Sequence, residues 1–307
     1  MPEQDKVDII ILNYKGADDT LSLLRNLSEI EHSNYRVILV ENGSDDSSSE
    51  RLKAVESKYP DWKFIYNEKN LGFSGGCNQA IRIALAEGAN YVLLLNNDTE
   101  VSKDFLGPLV ELSKKHDAIT GGLIYYRPDG VEKIWSFGGK LTFGAVPGHL
   151  GSLNKILKPK DLPVEKITDW VPGCCMLIPA KVIVAVGLLD EDYFAYAEDV
   201  DFCLRARKEG FKTHVTSQSV IYHKVGQSTG GGYSVSGRKL IAESSAIFIR
   251  KHGNPTAKIK FLTLFFAGII VALVRESFKG NAQAVLAKIS GFRAGMSKKL
   301  TQPGSIS

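Results

Sequence analysis

Cysteine is scarce in this chain. Four residues, Cys77, Cys174, Cys175 and Cys203, serve 307 positions. No two are spaced C-x-x-C and one pair is adjacent, so neither a zinc knuckle nor a disulfide framework is expected. Glycine is not scarce, yet it does not form the patterns of common nucleotide enzymes. G-x-G-x-x-G does not follow the first apolar segment, and G-x-x-x-x-G-K-[ST] is absent, which argues against a dinucleotide dehydrogenase and against a P-loop kinase or ATPase. The amino terminus, Met1-Pro-Glu-Gln-Asp-Lys6, lacks the basic and apolar regions of a signal peptide. With unpaired cysteines, a reducing cytosol is the expected compartment. Acidic residues are almost missing from one region: from Arg250 onward, ten Lys/Arg face the single acid Glu276. The net charge of +4 therefore hides a basic tail on a mildly acidic body.

What remains is ordinary for a folded protein. A hydrophobic share of 44% and a charged share of 23% are typical of globular chains, and the length suits one large α/β domain or two small ones. The centre of the pattern is Tyr91-Val-Leu-Leu-Leu95, a fully apolar run that reads as a buried parallel strand. It stops at Asn96-Asn97-Asp98-Thr99. Open α/β sheets bind ligands at the carboxyl ends of their strands, and a carboxylate among amides there suits a hard divalent cation that carries phosphates. A plain turn accounts for the same four residues. Upstream, strands are predicted at Val7–Leu12, Arg36–Val40 and Lys63–Tyr66, with helices between them and the first helix capped by Asp18 or Asp19. Their ends carry Asn13-Tyr14-Lys15-Gly16, Glu41-Asn42-Gly43-Ser44-Asp45-Asp46, and a loop through Asn70 and Gly72 to Gly76 that opens a helix at Cys77. This β-α-β alternation predicts a mostly parallel, Rossmann-like sheet with helices on both faces.

Downstream, a helix is expected near Lys103–His116 and a strand at Ala118–Tyr125. The Gly-, Pro- and Lys-rich region from Arg127 to Asp169 reads as loops and short strands. A strand spans Trp170–Pro179, and a short helix follows. Next, Glu198, Asp199 and Asp201 place three carboxylates within four residues. Such acids favour a helix start through the macrodipole, and one among them is a candidate general base, since like charges raise a carboxyl pKa. His223 ends the strand Thr213–Tyr222 and is a candidate metal ligand. His32, His116, His149, His214 and His252 are read as structural. The run from Lys224 to Gly232 is glycine-rich and suits a lid over bound substrate.

The ordered motifs Ile11-Leu-Asn-Tyr14, Val40-Glu-Asn-Gly-Ser-Asp-Asp46, Asn70-Leu-Gly-Phe-Ser-Gly-Gly-Cys-Asn78, Leu94-Leu-Asn-Asn-Asp-Thr99, Gly173-Cys-Cys-Met-Leu-Ile178, Phe194-Ala-Tyr-Ala-Glu-Asp-Val-Asp-Phe-Cys-Leu-Arg205 and then His223 resemble the inverting family 2 glycosyltransferases of GT-A fold, within them the bacterial rhamnosyltransferase-like group. They span about residues 7 to 230. The resemblance implies that Asn13, Tyr14, Glu41 and Asn42 line the base and ribose site and that Asn70 and Gly72 border the nucleotide. It implies that Asn96-Asn97-Asp98 occupies the family's DxD position, with Asn97 and Asp98 at the donor diphosphate. Asp98 and His223 then hold Mg²⁺ or Mn²⁺, and Asp199, assisted by Glu198, is the catalytic base. Asn96 departs from the family's Asp, which puts its own role as a metal ligand in question. The implied reaction moves a sugar from a nucleotide diphosphate, dTDP-rhamnose in this subgroup, to a saccharide or lipid-linked saccharide acceptor in cell-surface polysaccharide assembly. A UDP-sugar donor such as UDP-galactofuranose or UDP-glucose, a nucleotidyltransferase, and a non-catalytic nucleotide-sugar-binding module are the rivals.

Residues 1–240 are expected to form the glycosyltransferase domain, with a nucleotide half over about 1–100 and an acceptor half over 101–240. Residues 241–307 are expected to be a helical, basic and apolar extension. Within it, Phe261–Val274 carries no charge over fourteen residues, short of the roughly 20 that span a bilayer. Either a core helix or an interfacial helix fits. Its basic flanks suit an anionic membrane surface rather than nucleic acid, so the expected location is cytoplasmic and peripheral to the membrane.

Overall fold

The computed structural model describes residues 5–142, 146–149, 155–224, 234–277 and 282–305. The first half alternates as expected: β1 (Val7–Asn13), α1 (Ala17–Leu27), β2 (Tyr35–Asn42), α2 (Ser48–Glu56), β3 (Lys63–Asn67), α3 (Gly72–Ala86) and β4 (Tyr91–Leu95). The second half contains β5 (Thr99–Val101), α4 (Leu106–His116), β6 (Ile119–Tyr126), β7 (Lys133–Ser136), β8 (Gly139–Thr142), β9 (Val146–His149), β10 (Glu165–Thr168), β11 (Cys175–Pro179), α5 (Ala180–Val186), α6 (Glu198–Lys208) and β12 (Thr213–His223). Three helices close the chain, α7 (Val235–His252), α8 (Pro255–Ser277) and α9 (Ala282–Ser297).

Among the described residues, the main sheet runs β10-β12-β6-β11-β4-β1-β2-β3, with β5 beside β12 and β7 beside β6. Strands β1 to β4 are parallel, whereas β11 enters antiparallel between β4 and β6. The apolar runs explain the burial. Val7, Ile9, Ile10 and Ile11 of β1 and all five residues of β4 are buried, because helices cover both faces of the sheet. Each such Val or Ile contributes about 1.5–3 kcal/mol relative to exposure. The one acid inside β1, Asp8, is buried and ion-paired to Arg36 of β2.

Three boundaries differ from the sequence-based expectation. Helix α1 is preceded by Gly16 with no side-chain cap, and Asp18 and Asp19 sit in its first turn. Helix α3 starts at Gly72, not Cys77; its glycines form the first turns because a Cβ at Gly76 would strike Leu12 of β1. Strand β11 starts at Cys175, so Trp170–Cys174 is a turn entering it. Helix α7 crosses position 240, and its Ile247, Phe248 and Ile249 belong to the same core as β4 and α6. Helix α8 is longer than the uncharged run within it: Pro255–Leu273 is long and apolar enough to cross a membrane, and 17% of that stretch is buried. The glycine-rich run expected as a lid lies, beyond Lys224, outside the described residues.

Candidate active site

The carboxyl ends of β1, β2 and β4, the turn before β11 and the start of α6 surround one cleft of about 980 Å³. Sheet register brings its first pair of groups together. Strands β5 and β12 run antiparallel with His223 opposite Thr99, which sets His223 beside Asp98. Their Nε2 and Oδ1 atoms lie 3.0 Å apart, and both side chains are almost buried. Asp98 Oδ1 has no hydrogen-bond partner, nor has His223 Nδ1, so the close pair is not aligned as a hydrogen bond. A buried carboxylate oxygen left unpartnered is costly. An unpartnered buried carboxylate oxygen beside an imidazole nitrogen, both able to ligate a metal, fits a divalent cation that Asp98 and His223 would hold. Among the described residues no group of three or more His, Cys, Asp or Glu could hold one. Two protein ligands leave the other positions to substrate oxygens and water, as Mg²⁺ sites commonly do. Asn96 lines the same cleft, with its backbone N–H bonded to the Cys174 carbonyl.

That Asn96–Cys174 bond also helps position Asp199. Strand β11 lies against β4 with Cys175 opposite Leu95, so the turn before β11 runs beside Asn96-Asn97-Asp98. The Gly173 N–H donates to Asp199 Oδ2 at 2.9 Å, and the Val200 N–H donates to Oδ1 at 2.8 Å. Asp199 is thereby held over the end of β4 while retaining some exposure to the cleft. Burial raises its pKa, against the opposing pull of the two N–H donors. The neighbouring Glu198 is buried, and its Oε2 has no partner. Burial first, then the charges of Asp199 and Asp201, lift its carboxyl well above the usual range. Asp98, Cys174 and Asp199 line the same cleft, and the Cys174 thiol pKa is raised first by burial and then by Asp98, Cys175 and Asp199. The third acid of the cluster is structural. Asp201 is paired with Arg205 at 2.7 Å and with His252 at 2.6 Å. Burial works to raise its pKa, but those partners hold it below the usual value.

The acids stand on unusual backbone. Tyr196 and Ala197, the two residues before α6, both have left-handed φ, of 71° and 68°, a conformation that costs non-glycine residues energy and recurs at functional sites. Hydrogen bonds hold the segment there: Phe73 N–H and Ser74 Oγ of α3 donate to the carbonyls of Phe194 and Tyr193, and Ser244 Oγ of α7 donates to that of Ala195. Gly72, at φ 76°, permits this approach, because a Cβ there would lie 2.5 Å from the Phe194 carbonyl oxygen.

The amides expected to meet the nucleotide divide into two groups. Tyr14, Asn42, Asn70, Gly72 and Asn97 line the cleft. Asn42 Nδ2 donates to Asn70 Oδ1 and to the Gly72 carbonyl, and its Oδ1 accepts from Asn67 and from the Leu71 N–H. Asn97 Nδ2 donates to Thr20 Oγ1 at 3.0 Å. Asn13 and Glu41 lie outside the lining. Asn13 Oδ1 accepts from Thr20 at 2.8 Å, and the Glu41 carboxylate accepts the N–H groups of Gly43 and Ser44 at 2.8 and 3.0 Å. In the structure these two shape the strand ends. Sequence reasoning missed several lining side chains: Trp135, edge-on to His223 at 4.8 Å between ring centroids, Trp170, and the α7–α8 residues Leu240, Ile241 and Phe261. Two of the chain's three tryptophans face this cleft, but no pattern in the sequence pairs them.

Comparison with known proteins agrees with this geometry. Residues 8–174 match the model of glycosyl transferase family 2. The chain is 31% identical over 210 residues to the low-salt glycan biosynthesis hexosyltransferase Agl10 of Haloferax volcanii, covering 67% of this chain and 62% of that protein. It is 26% identical over 249 residues to an N-acetylglucosaminyl-diphospho-decaprenol L-rhamnosyltransferase of Mycobacterium tuberculosis, covering 74% and 78%. In fold it is similar to GalNAc-T7, solved with UDP, GalNAc and Mn²⁺, at a TM-score of 0.66 and 14% identity over 81% of this chain and 48% of that one. The mixed α/β sheet with helices on both faces is the expected GT-A architecture, and with a family match over more than half its length the chain belongs to glycosyl transferase family 2.

Proposed function

We propose that the protein transfers a sugar, with inversion, from a nucleotide diphosphate to a hydroxyl of a saccharide or lipid-linked saccharide, in cell-surface polysaccharide assembly. The observation that carries this reading is the convergence of Asp199 with the Asp98–His223 pair in one cleft. Asp199 takes the proton of the acceptor hydroxyl as its oxygen bonds to the anomeric carbon. The bond from that carbon to the diphosphate breaks, and the nucleoside diphosphate leaves with the electron pair. Asp98 and His223 would hold Mg²⁺ or Mn²⁺, which supplies Lewis-acid stabilisation of the leaving diphosphate. Burial favours the neutral form of Glu198 and so opposes a second negative charge beside the base. Asn42, Asn70 and Asn97, already fixed by one another and by Thr20, present a rigid amide wall to the nucleotide.

The rhamnosyltransferase relative supports rhamnose as the transferred sugar, for which we take dTDP-rhamnose as the donor, and the UDP in the GalNAc-T7 structure supports a UDP-sugar as the second reading. The basic carboxyl-terminal region and exposed α8 support a cytoplasmic protein resting on an anionic membrane surface. A thermal-shift panel of dTDP-, UDP- and GDP-sugars with and without Mn²⁺ tests the reading. A Mn²⁺-dependent rise in Tm with a dTDP- or UDP-sugar is expected; no shift with any of them removes it.

A further inference from the structure

The cleft is large, and much of its lining is apolar. Its 980 Å³ lies at the top of the roughly 300–1,000 Å³ usual for a single small-molecule site. The wall contributed by α7 and α8 consists of Leu240, Ile241, Phe248, Ile249 and Phe261, interrupted by serines. Those serines offer a ligand little. Ser244 Oγ donates to the Ala195 carbonyl at 2.7 Å and Ser245 Oγ to the Ile241 carbonyl at 2.6 Å, while Ser236 Oγ sits 3.4 Å from Ser234 Oγ. A sugar pressed against this wall would lose hydrogen bonds to water without replacement.

The wall begins at the base and ends at the surface. Ser244 ties α7 to the segment just before Glu198, and Phe248 and Ile249 share a core with Val200, next to Asp199. At the far end Phe261 belongs to α8, which has two faces: Phe265 and Ile269 are buried against α7 and α9, whereas Ile259, Leu264, Phe266, Ile270 and Val271 are 55–66% exposed. A contiguous apolar face of this kind marks a lipid or protein contact. Lys258 and Lys260, both exposed, stand on the first turns of the same helix and favour a phosphate-bearing lipid surface.

We propose that the α7–α8 wall binds the hydrocarbon chain of a lipid-linked acceptor. The acceptor's sugar hydroxyl reaches Asp199, and its chain leaves the cleft past Phe261 onto the lipid-facing surface of α8. This deepens the glycosyltransferase reading and rests on it. The two fail separately, because nucleotide binding is measured apart from the chain.

The probe is farnesyl phosphate carrying a benzophenone, photo-crosslinked to the full chain with dTDP and Mn²⁺ present and mapped by peptide mass spectrometry. Labels at residues 240–249 and at Phe261 are expected. Labels confined to 264–271 mean bilayer contact only and overturn the proposal, as does the absence of labelling in protein that still gives a Mn²⁺-dependent nucleotide shift. Ile241→Asp and Phe261→Asp are each expected to reduce labelling at least tenfold while the nucleotide shift is retained. Ile241 is 39% exposed, so its variant keeps the test valid where Phe261→Asp fails to fold. Unchanged labelling in Ile241→Asp, or a solution dimer that Ile241→Asp dissolves, overturns the proposal, the latter because a second copy then covers the wall.

Discussion

The cleft has two sides of opposite character. On one, Asn42, Asn70 and Asn97, with Asn67 behind Asn42, are neutral amides whose donors and acceptors are largely spent on each other, on Thr20 and on backbone. On the other, Asp98, His223, Glu198 and Asp199 are ionisable. Three of these four keep a buried polar atom without a partner, and the residues before Glu198 are held in left-handed backbone. The first side holds its shape independently of pH and salt, since nothing in that amide network titrates. The second carries groups whose needs are met only when substrate or metal arrives. Unsatisfied and strained groups persist where surrounding structure holds them and function uses them. The proposed roles follow this division: the satisfied side is assigned to binding and the unsatisfied side to chemistry.

Breaking the second side should cost most. Asp199→Asn keeps the size of the side chain and an oxygen for the Gly173 N–H, but removes the proton acceptor. General-base catalysis contributes about 10²–10⁴-fold, so kcat is expected to fall by that factor while nucleotide affinity, which the proposal assigns to the amide side, is retained. Turnover equal to wild type in initial-rate assays would remove Asp199 as the base. Asp98→Asn is expected to lower kcat/KM by about 10²–10³-fold, the range for losing one electrostatic stabiliser. It should also abolish the Mn²⁺ enhancement of nucleotide binding seen by calorimetry. An unchanged Mn²⁺ response would place the metal on other ligands.

The two sides were unequally legible in the sequence. The strands of the amide side were plain, because Val7–Leu12, Arg36–Val40 and Tyr91–Leu95 are apolar runs that only a doubly covered sheet buries. The start of α3 at Gly72 was not, since glycines read locally as loop and only the close approach to Leu12 and Phe194 makes them helical. On the ionisable side, the residues were visible but their convergence was not. It depends on His223 pairing with Thr99 and on Cys175 pairing with Leu95, long-range registers that no local pattern encodes. The roles of Asp199 and His223 came from family resemblance. Its ion pairs with Arg205 and His252 set Asp201 apart from its two neighbours, and His252 lies 51 residues away. The apolar wall was missed for the same reason: Ile241 and Phe261 look like core positions until α7 and α8 are placed around the cleft.

The smallest expected effect is a stability change on the ionisable side. Glu198 has a carboxyl pKa raised well above its ordinary value by burial and then by the charges of Asp199 and Asp201. The folded protein therefore keeps a proton that the unfolded chain releases above the ordinary carboxylate range. Stability from this group is full below the unfolded pKa and is lost as pH rises through the higher folded value. Glu198→Gln preserves shape and stays neutral, so it removes that loss. Its Tm should match or fall slightly below wild type near the ordinary carboxylate pKa, and exceed wild type increasingly toward alkaline pH. Each kcal/mol of relief is worth roughly 2–4 °C in a domain of this size. The amide side supplies the control, because Asn42→Ser removes amide hydrogen bonds and no titrating group and should shift Tm equally at every pH. A Glu198→Gln difference that is flat with pH would mean that Glu198 is ionised in the folded protein. The cleft would then carry two adjacent negative charges, and the contrast between its sides would rest on Asp98 and His223 alone.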